Sequence, residues 1–404
     1  MTKDERRKTK VETFVFRLSS FVVQTKPMDD LIYLDHAATT PTHPQVLEAM
    51  WPFFAQQFGN PSARYPLAEQ ARQAADWAHA TIARLIGARP GEIVFTSGGS
   101  ESDNLAIKGV AFASRARGNH IITSQVEHHA VLRACEYLEQ SHGFRVTYLP
   151  VDHHGTVDLD ALAQAIDDHT VLVSIMLANN EVGTIQPIRQ IARLTRERGV
   201  PLHTDAVQAM ANMPVKVDEL GVDLLTISAH KCYGPSGVGA LYVRRGIPID
   251  SLIHGGHQER DRRAGTENVA GMVGMAQAMQ LSQPATIAYT QALRDRLIEG
   301  VLTSVPGAIL TGHPTERLAN NASFCFTGVA GETVLLALAD RGVACSSGSA
   351  CAAGESDPSH VLTAMGIDAE LAQTAVRFSV GMGNTLEQID RVVALLTDIV
   401  GELR

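Results

Sequence analysis

Chemistry-bearing residues gather where apolar runs stop. "LLTISAH" (224–230) leads into "KCYGPSGVG", so Ser228, His230 and Lys231 stand together at the end of one run, before a turn rich in glycine and proline. A lysine at the end of a buried apolar strand is costly unless it is paired or chemically committed, although a solvated strand terminus would also hold one. "HTDAVQ" (203–208) supplies Asp205 and Gln208 in the same way. In "FTSGGSESDNLAIKG" (95–109), Gly98, Gly99 and Ser100 lead from an apolar run into a helical pattern. Such a turn leaves backbone N–H groups unpaired at the positive end of a helix dipole, which suits a phosphate; an ordinary strand-to-helix turn with a serine cap uses the same residues. No GxxxxGKS or GxxxxGKT pattern occurs, which argues against a nucleoside triphosphate. An acid on one strand end and a lysine on a later one fit pyridoxal 5'-phosphate. The lysine holds the aldehyde as a Schiff base, and the acid keeps the pyridine nitrogen protonated so that the ring accepts electrons.

Further polar groups follow other runs. "EHHAV" (127–131) gives His128 and His129, and "ANNEVG" (178–183) gives Asn179 and Asn180. Adjacent histidines diverge on a helix or strand, and no paired acidic or thiolate spacing completes a metal site, so no metal is expected. "DHH" at 152–154 reads as a solvated turn. "SSGSACAAGESDPSH" (346–360) places Cys351 among small and polar residues without apolar periodicity. A thiol there belongs to no core, and glycine lets its loop move. Cys135, Cys232 and Cys325 lie in or beside apolar patterns and are expected to be small buried residues; packing is also the expectation for Cys345.

The elements that must position these groups are legible as spacing. "EIVFTS" (92–97), "HIITSQ" (120–125), "RVTYLP" (145–150), "VLVSIML" (171–177), "PLHTDA" (201–206), "LLTISAH" (224–230) and "GALYVR" (239–244) read as strands, with helical patterns between most of them. That alternation implies an α/β architecture, a mostly parallel seven-stranded sheet covered on both faces, with ligands at the carboxyl ends of the strands. Leu67, Ala71, Ala74, Ala78, Ile82 and Leu85 predict an amphipathic helix stopped by Gly87. After about residue 285 the texture changes to a smaller α+β region. It has a helix, strands at 320–326 and 375–381, a helix from Glu332 and a final amphipathic helix. The expected division is an extension over 1–27, a large domain over 28–285 and a small domain over 286–404, with 28–45 packing on the small domain.

A chain of 404 residues, 45% hydrophobic and 19% charged, is ordinary for a globular protein. Its net charge of −9 and the lack of a basic cluster after residue 30 argue against nucleic-acid and anionic-membrane surfaces. Five cysteines without a CxxC pair suit a reducing cytoplasm better than a disulfide framework. The first 27 residues are basic but interrupted by Arg17 and carry Asp4, Glu5 and Glu12, unlike a signal or transit peptide. They read as a disordered extension or a misassigned start. No later run reaches the ~18 apolar residues of a membrane span.

Taken in order, "YLDHAATTP", "GNPS", "TSGGSESDNLAIKG", "EHHAV", "NNEVGTIQPI", "TDAVQ", "SAHKCYGP", "GGHQERDRRAGTEN", "SSGSAC" and "VRFSVG" resemble the cysteine desulfurases of the class V aminotransferase family. The similarity is to the group with the long cysteine loop, which includes nitrogen-fixation and iron–sulfur-cluster enzymes. It implies the pyridoxal-phosphate-dependent transferase fold type I and conversion of L-cysteine to L-alanine. By the same resemblance Lys231 would attach the cofactor, His128 would stack on its ring and shuttle protons, Asp205 would pair with the pyridine nitrogen, and Gln208 would bond the phenolic oxygen. Gly99, Ser100, Ser228 and His230 would contact the phosphate, joined by Thr266 across a homodimer interface. Arg377 and Asn180 would hold the substrate carboxylate, and Asn180 would also contact the cofactor. Cys351 would take the sulfur as a persulfide and pass it to a scaffold or carrier protein, for iron–sulfur clusters or another acceptor. The sequence departs from the family at Ala63 and Tyr65 after "NPS", at Gly99 where alanine is common, and at Ala352 and Ala353 after the cysteine. Alternatives are a selenocysteine lyase or small-molecule aminotransferase of the same fold, against which Cys351 argues, and a non-enzymatic binding protein, which would have lost a key residue.

Overall fold

Residues 31–281, 283–347 and 358–404 are described by the computed structural model. The chain divides into two units, Met1–Ile32 and Tyr33–Arg404. The first is described only at Leu31 and Ile32, and the elements that follow belong to the second.

All seven expected runs form strands of one sheet: β1 (Ile93–Thr96), β2 (His120–Ser124), β3 (Arg145–Leu149), β4 (Thr170–Ser174), β5 (Leu202–Asp205), β6 (Leu224–Ser228) and β7 (Gly239–Val243). Their spatial order is β1-β7-β6-β5-β4-β2-β3. Pairing is parallel from β6 through β5, β4 and β2 to β3, and β7 runs antiparallel to both its neighbours. The expected mostly parallel sheet is therefore present. Several strands end short of their apolar runs. β6 stops at Ser228, and His230 and Lys231 fall in a tight turn, Ala229–Lys231, beyond it.

Period-two alternation explains why such strands are apolar on both faces. Ile122, Ala240 and Tyr242 enter one core with residues of helices α1 (Pro66–Ile86), α4 (Ile188–Glu197) and α5 (Val269–Met279). Their neighbours Ile121, Leu241 and Val243 enter another core, with residues of α2 (Gly99–Ala113) and α3 (His129–His142). The edge strand β3 is more open, with Arg145 exposed. At the other edge, the Phe95 N–H of β1 donates to the buried Glu259 carboxylate at 3.0 Å. That contact satisfies an edge donor that another chain could otherwise pair with.

Helix α1 corrects the expected register by one position in part of its length. Ala68, Ala71, Ala75, Ala78, Ile82 and Ile86 are buried, while Leu67, Ala74 and Leu85 are only partly covered. Alanines stand on adjacent faces here, so composition alone did not choose between them. The helix stops at Gly87, whose φ of 76° is the left-handed cap that glycine adopts at least cost.

A second, antiparallel sheet has the order β10-β9-β8 and comprises β8 (Ala308–Leu310), β9 (Asn321–Phe326) and β10 (Ala375–Ser379). Helices α6 (Pro284–Ser304), α7 (Gly331–Asp340), α8 (His360–Ala364) and α9 (Leu386–Leu403) accompany it. Strands β9 and β10 match expectation. The three-residue β8 lies between Gly307 and Gly312 and is too short to show a period.

Candidate active site

A cavity of about 410 Å³ opens where several strands of the main sheet end. Gly99, Ser100, His128, Asn180, Asp205, Gln208, Ser228, His230, Lys231 and Arg377 all line it. Ten of the sequence-predicted residues, from the turns after β1, β2, β4, β5 and β6 and from β10, thus meet in one place. Thr266 is exposed and is not among the residues lining the cavity of its own chain. Cys351 lies outside the described residues.

Lys231 sits on the cavity wall with its Nζ donating to the carbonyl oxygens of Ala37 and Ala38, both at 2.6 Å. Gln208 Nε2 donates to the same Ala37 carbonyl at 3.0 Å. Residues 35–40 are anchored in turn: Ala37 N–H donates to Ser379 Oγ, and Thr40 N–H and Oγ1 donate to the His230 carbonyl. The short backbone segment "DHAATT" therefore joins the lysine turn to β10.

Asp205 ends β5, and the Val207 N–H donates to its Oδ1 at 2.9 Å. Burial raises its pKa to about 6, opposed by that N–H and by the Lys231 amine. His128 is the N-cap of α3, where its Nδ1 accepts from the Ala130 N–H at 3.1 Å. Burial, then Lys231, His129 and His360, lower its pKa to about 4. The ring is neutral near pH 7, and an Nδ1 that accepts leaves the hydrogen on Nε2. His230 is likewise lowered to about 4 by burial and Lys231.

The phosphate-like turn has the features its sequence implies. Gly98 caps α2 without a side-chain hydrogen bond, and α2 is 15 residues long. A second depression of about 260 Å³ shares Gly99, Ser100, Ser228 and His230 with the main cavity. Close approach explains two glycines here. A Cβ on Gly239 would lie 2.6 Å from the Gly98 carbonyl carbon, and one on Gly99 would lie 2.9 Å from Val207 Cγ2.

Arg377 is 1% exposed in the middle of β10. A guanidinium there needs partners. Its Nη2 donates to Asp35 Oδ1 and its Nη1 to the Asn180 carbonyl, each at 2.9 Å. Cys135, Cys232 and Cys325 are buried as expected. Burial pushes the Cys232 thiol up to about 12 and Cys325 to about 11, which suppresses the thiolate. Cys345 is partly covered and also pushed up to about 12. Among the described residues no group of three or more His, Cys, Asp or Glu is arranged to hold a metal.

Several site residues carried no role in the sequence reading. Asp35, Asp103, Glu127 and His203 stand inside quoted runs, and His129 and His360 pair at the rim with ring centroids 4.8 Å apart. A polar residue at an otherwise buried position, such as His203 in the wholly buried "LHTD" of β5, is the signal that would have found the first group.

The aminotransferase class-V family profile matches residues 32–392. The chain belongs to that family. Among its relatives, "Cysteine desulfurase IscS" of Methanosarcina thermophila is 50% identical over 376 residues, 92% of this chain and 93% of that protein. "Cysteine desulfurase" of Trichormus azollae is 45% identical, over 93% and 94%. The solved structure named "NIFS-LIKE PROTEIN" superposes with a TM-score of 0.86 at 38% identity, covering 92% of this chain and all of that one. "SspA in complex with cysteine" gives 0.78 at 38% identity, over 87% and 99%. Within the family the chain groups with the cysteine desulfurases, and its mixed seven-stranded sheet and small antiparallel sheet are consistent with fold type I.

Proposed function

We propose that the chain is a pyridoxal 5'-phosphate-dependent cysteine desulfurase that converts L-cysteine to L-alanine and passes the sulfur to Cys351 as a persulfide. The observation that carries this reading is the convergence of Lys231, Asp205 and His128 in one cavity, beside the uncapped N-terminus of α2. The donor set fits the cofactor. A buried carboxyl would meet the pyridine nitrogen, a lysine amine its aldehyde, and the depression around Gly99, Ser100, Ser228 and His230 its phosphate. Bound there, the cofactor supplies a carbonyl that captures the substrate amine and a protonated ring that accepts electrons from the α-carbon.

Each side chain then has a task. Lys231 would attach the cofactor, and the carbonyls of Ala37 and Ala38 hold its amine at the wall. Gln208 would bond the cofactor's phenolic oxygen. His128 would lie against the cofactor, with Nε2 bearing a proton that can be exchanged. Arg377, held by Asp35, and Asn180 bind the substrate carboxylate. The Cys351 thiolate attacks the substrate sulfur: an S–S bond forms as the C–S bond breaks, and the three-carbon remainder takes up a proton and leaves as alanine. Thr266 completes the phosphate site of a second subunit in a homodimer. Residues 28–285 serve as the cofactor-binding part and 286–404 as a smaller part carrying the cysteine loop. A scaffold or carrier protein in the cytoplasm accepts the sulfur, for iron–sulfur cluster assembly or another sulfur-requiring product. No helix among the described residues is long and apolar enough to cross a membrane.

Incubation with L-cysteine and pyridoxal phosphate, followed by mass spectrometry, tests the reading. Wild type should yield alanine and a persulfide on Cys351, and Cys351→Ala should lose both. A keto acid without persulfide, or undiminished turnover in Cys351→Ala, would overturn it.

A further inference from the structure

Two buried carboxyl groups, Asp103 from α2 and Asp205 from the end of β5, line the cavity, and a third, Glu127 from the turn before α3, lies outside the lining but near enough to interact with both. Their hydrogen bonding is unequal. Glu127 receives the Ser124 hydroxyl at 2.7 Å and the Met176 N–H at 2.9 and 3.1 Å. Asp205 receives the Val207 N–H and faces the Lys231 amine. Asp103 lines the cavity, is 1% exposed, and its Oδ1 has no hydrogen-bond partner among the described residues. His203 Nε2 is the nearest cationic candidate, at 3.8 Å, beyond hydrogen-bonding distance.

Behind Asp103 runs a short polar chain. His203, fully buried, places Nδ1 2.8 Å from Ser174 Oγ and Nε2 3.0 Å from Thr226 Oγ1. The Thr226 hydroxyl also faces the Asp103 carboxyl. Burial lowers the His203 pKa to about 3, so the ring is neutral, with one N–H and one lone pair. Were Asp103 ionised, Thr226 would turn its only hydrogen toward it. A charge would still lie buried beside Asp205 with one oxygen unpartnered, an arrangement that burial penalises. Were Asp103 protonated, its O–H would donate to Thr226, Thr226 to His203 Nε2, and Nδ1–H to Ser174. Those contacts are then made without charge, and the oxygen left without a partner, Oδ1, belongs to a neutral acid, which burial penalises less than a carboxylate.

We propose that Asp103 is a positioning residue that keeps its proton, so that of the pair Asp103 and Asp205 the negative charge stays on Asp205. The proposal rests on the reading that the cavity holds pyridoxal phosphate with Asp205 at the pyridine nitrogen. Two adjacent buried carboxyls do not both ionise, and the fixed donors decide which one does. Here Lys231 and the Val207 N–H face Asp205, whereas the like charge of Asp205 faces Asp103. His128 and His230, which also line the cavity, are neutral near pH 7 and leave that asymmetry intact.

The test compares wild type, Asp103→Asn, Asp205→Asn and Glu127→Gln, each with and without pyridoxal phosphate. Infrared difference spectra at about pH 9.5, above the value of about 8 to which burial raises Glu127, report neutral carboxylic acids. Wild type should show such a band, absent in Asp103→Asn and kept in Glu127→Gln. Asp103→Asn, whose amide donates as the neutral acid does, should hold pyridoxal phosphate within about twofold of wild type, with the pH midpoint of its visible absorbance unmoved. The absence of the band in wild type would overturn the proposal. So would a loss of affinity beyond about tenfold, or a midpoint displaced by about one pH unit, in Asp103→Asn. If Asp103→Asn does not fold, a band that persists in both Glu127→Gln and Asp205→Asn still assigns it to Asp103. Wild type that takes up no pyridoxal phosphate would overturn the cofactor reading instead, and the infrared band of the free protein would still decide the state of Asp103.

Discussion

Arg377 is buried in a strand because Asp35 and the Asn180 carbonyl satisfy two arms of its guanidinium. Both contacts fix the plane of a cation that, in the proposed reaction, receives the substrate carboxylate. Asp35→Asn keeps the size of the side chain but removes the charge that orients the arginine. A hydrogen bond to a charged group contributes about 1.5–3 kcal/mol, so KM for L-cysteine should rise roughly tenfold while kcat changes little. Steady-state kinetics at saturating pyridoxal phosphate would show it; an unchanged KM would mean that Asp35 does not set the arginine. The residue scale also separates what was legible from what was not. Lys231 and Asp205 stood out because they end apolar runs, where a charge needs a reason. Asp103 was obscured by its setting, since "SESDN" at a helix start reads as a solvated cap. Only its neighbours in space show that this face of the helix is turned inward.

At the scale of elements, the turn between β1 and α2 depends on a neighbour across the sheet. Gly239 begins β7 directly against Gly98, and a side chain there would also crowd the Ile227 carbonyl at 2.8 Å. Gly239→Val should push the turn away from Ser228 and weaken pyridoxal phosphate binding by about tenfold or more, since oriented N–H groups carry the phosphate contact. Equilibrium titration of the visible absorbance would measure it. Binding equal to wild type would show that the turn tolerates displacement. Strand positions were legible because a sheet covered on both faces demands apolar runs. Neither the partner of Gly239 nor the three consecutive left-handed residues Glu259, Arg260 and Asp261 could be read locally, because both depend on contacts distant in sequence. Glu259 shows why: its carboxylate reaches His79 of α1 and the Phe95 N–H of β1, more than 160 positions away.

Across the whole molecule, buried groups with opposed shifts shape the dependence of stability on pH. His203 is neutral in the fold, lowered by burial from 6.5 to about 3, so its contribution is present above pH 6.5 and is lost as pH falls toward 3. Glu127 is the reverse, raised by burial from 4.5 to about 8. The folded state binds the extra proton between those values, so this contribution is present below pH 4.5 and is lost as pH rises to 8. Neither residue lines the cavity, so both effects belong to the scaffold rather than to ligand binding. Between pH 6.5 and 8 the His203 contribution is constant, and Glu127 should lower stability by up to about 1.4 kcal/mol per pH unit. For a chain of this size that corresponds to a fall of about 1–2 °C in Tm per unit. Glu127→Gln retains an oxygen that can accept from the Met176 N–H and the Ser124 hydroxyl but cannot ionise. Its melting temperature should therefore lack the decline that wild type shows over this window. Parallel profiles for the two proteins would mean that Glu127 is already ionised in the fold, held so by the Met176 N–H and the Ser124 hydroxyl that donate to it.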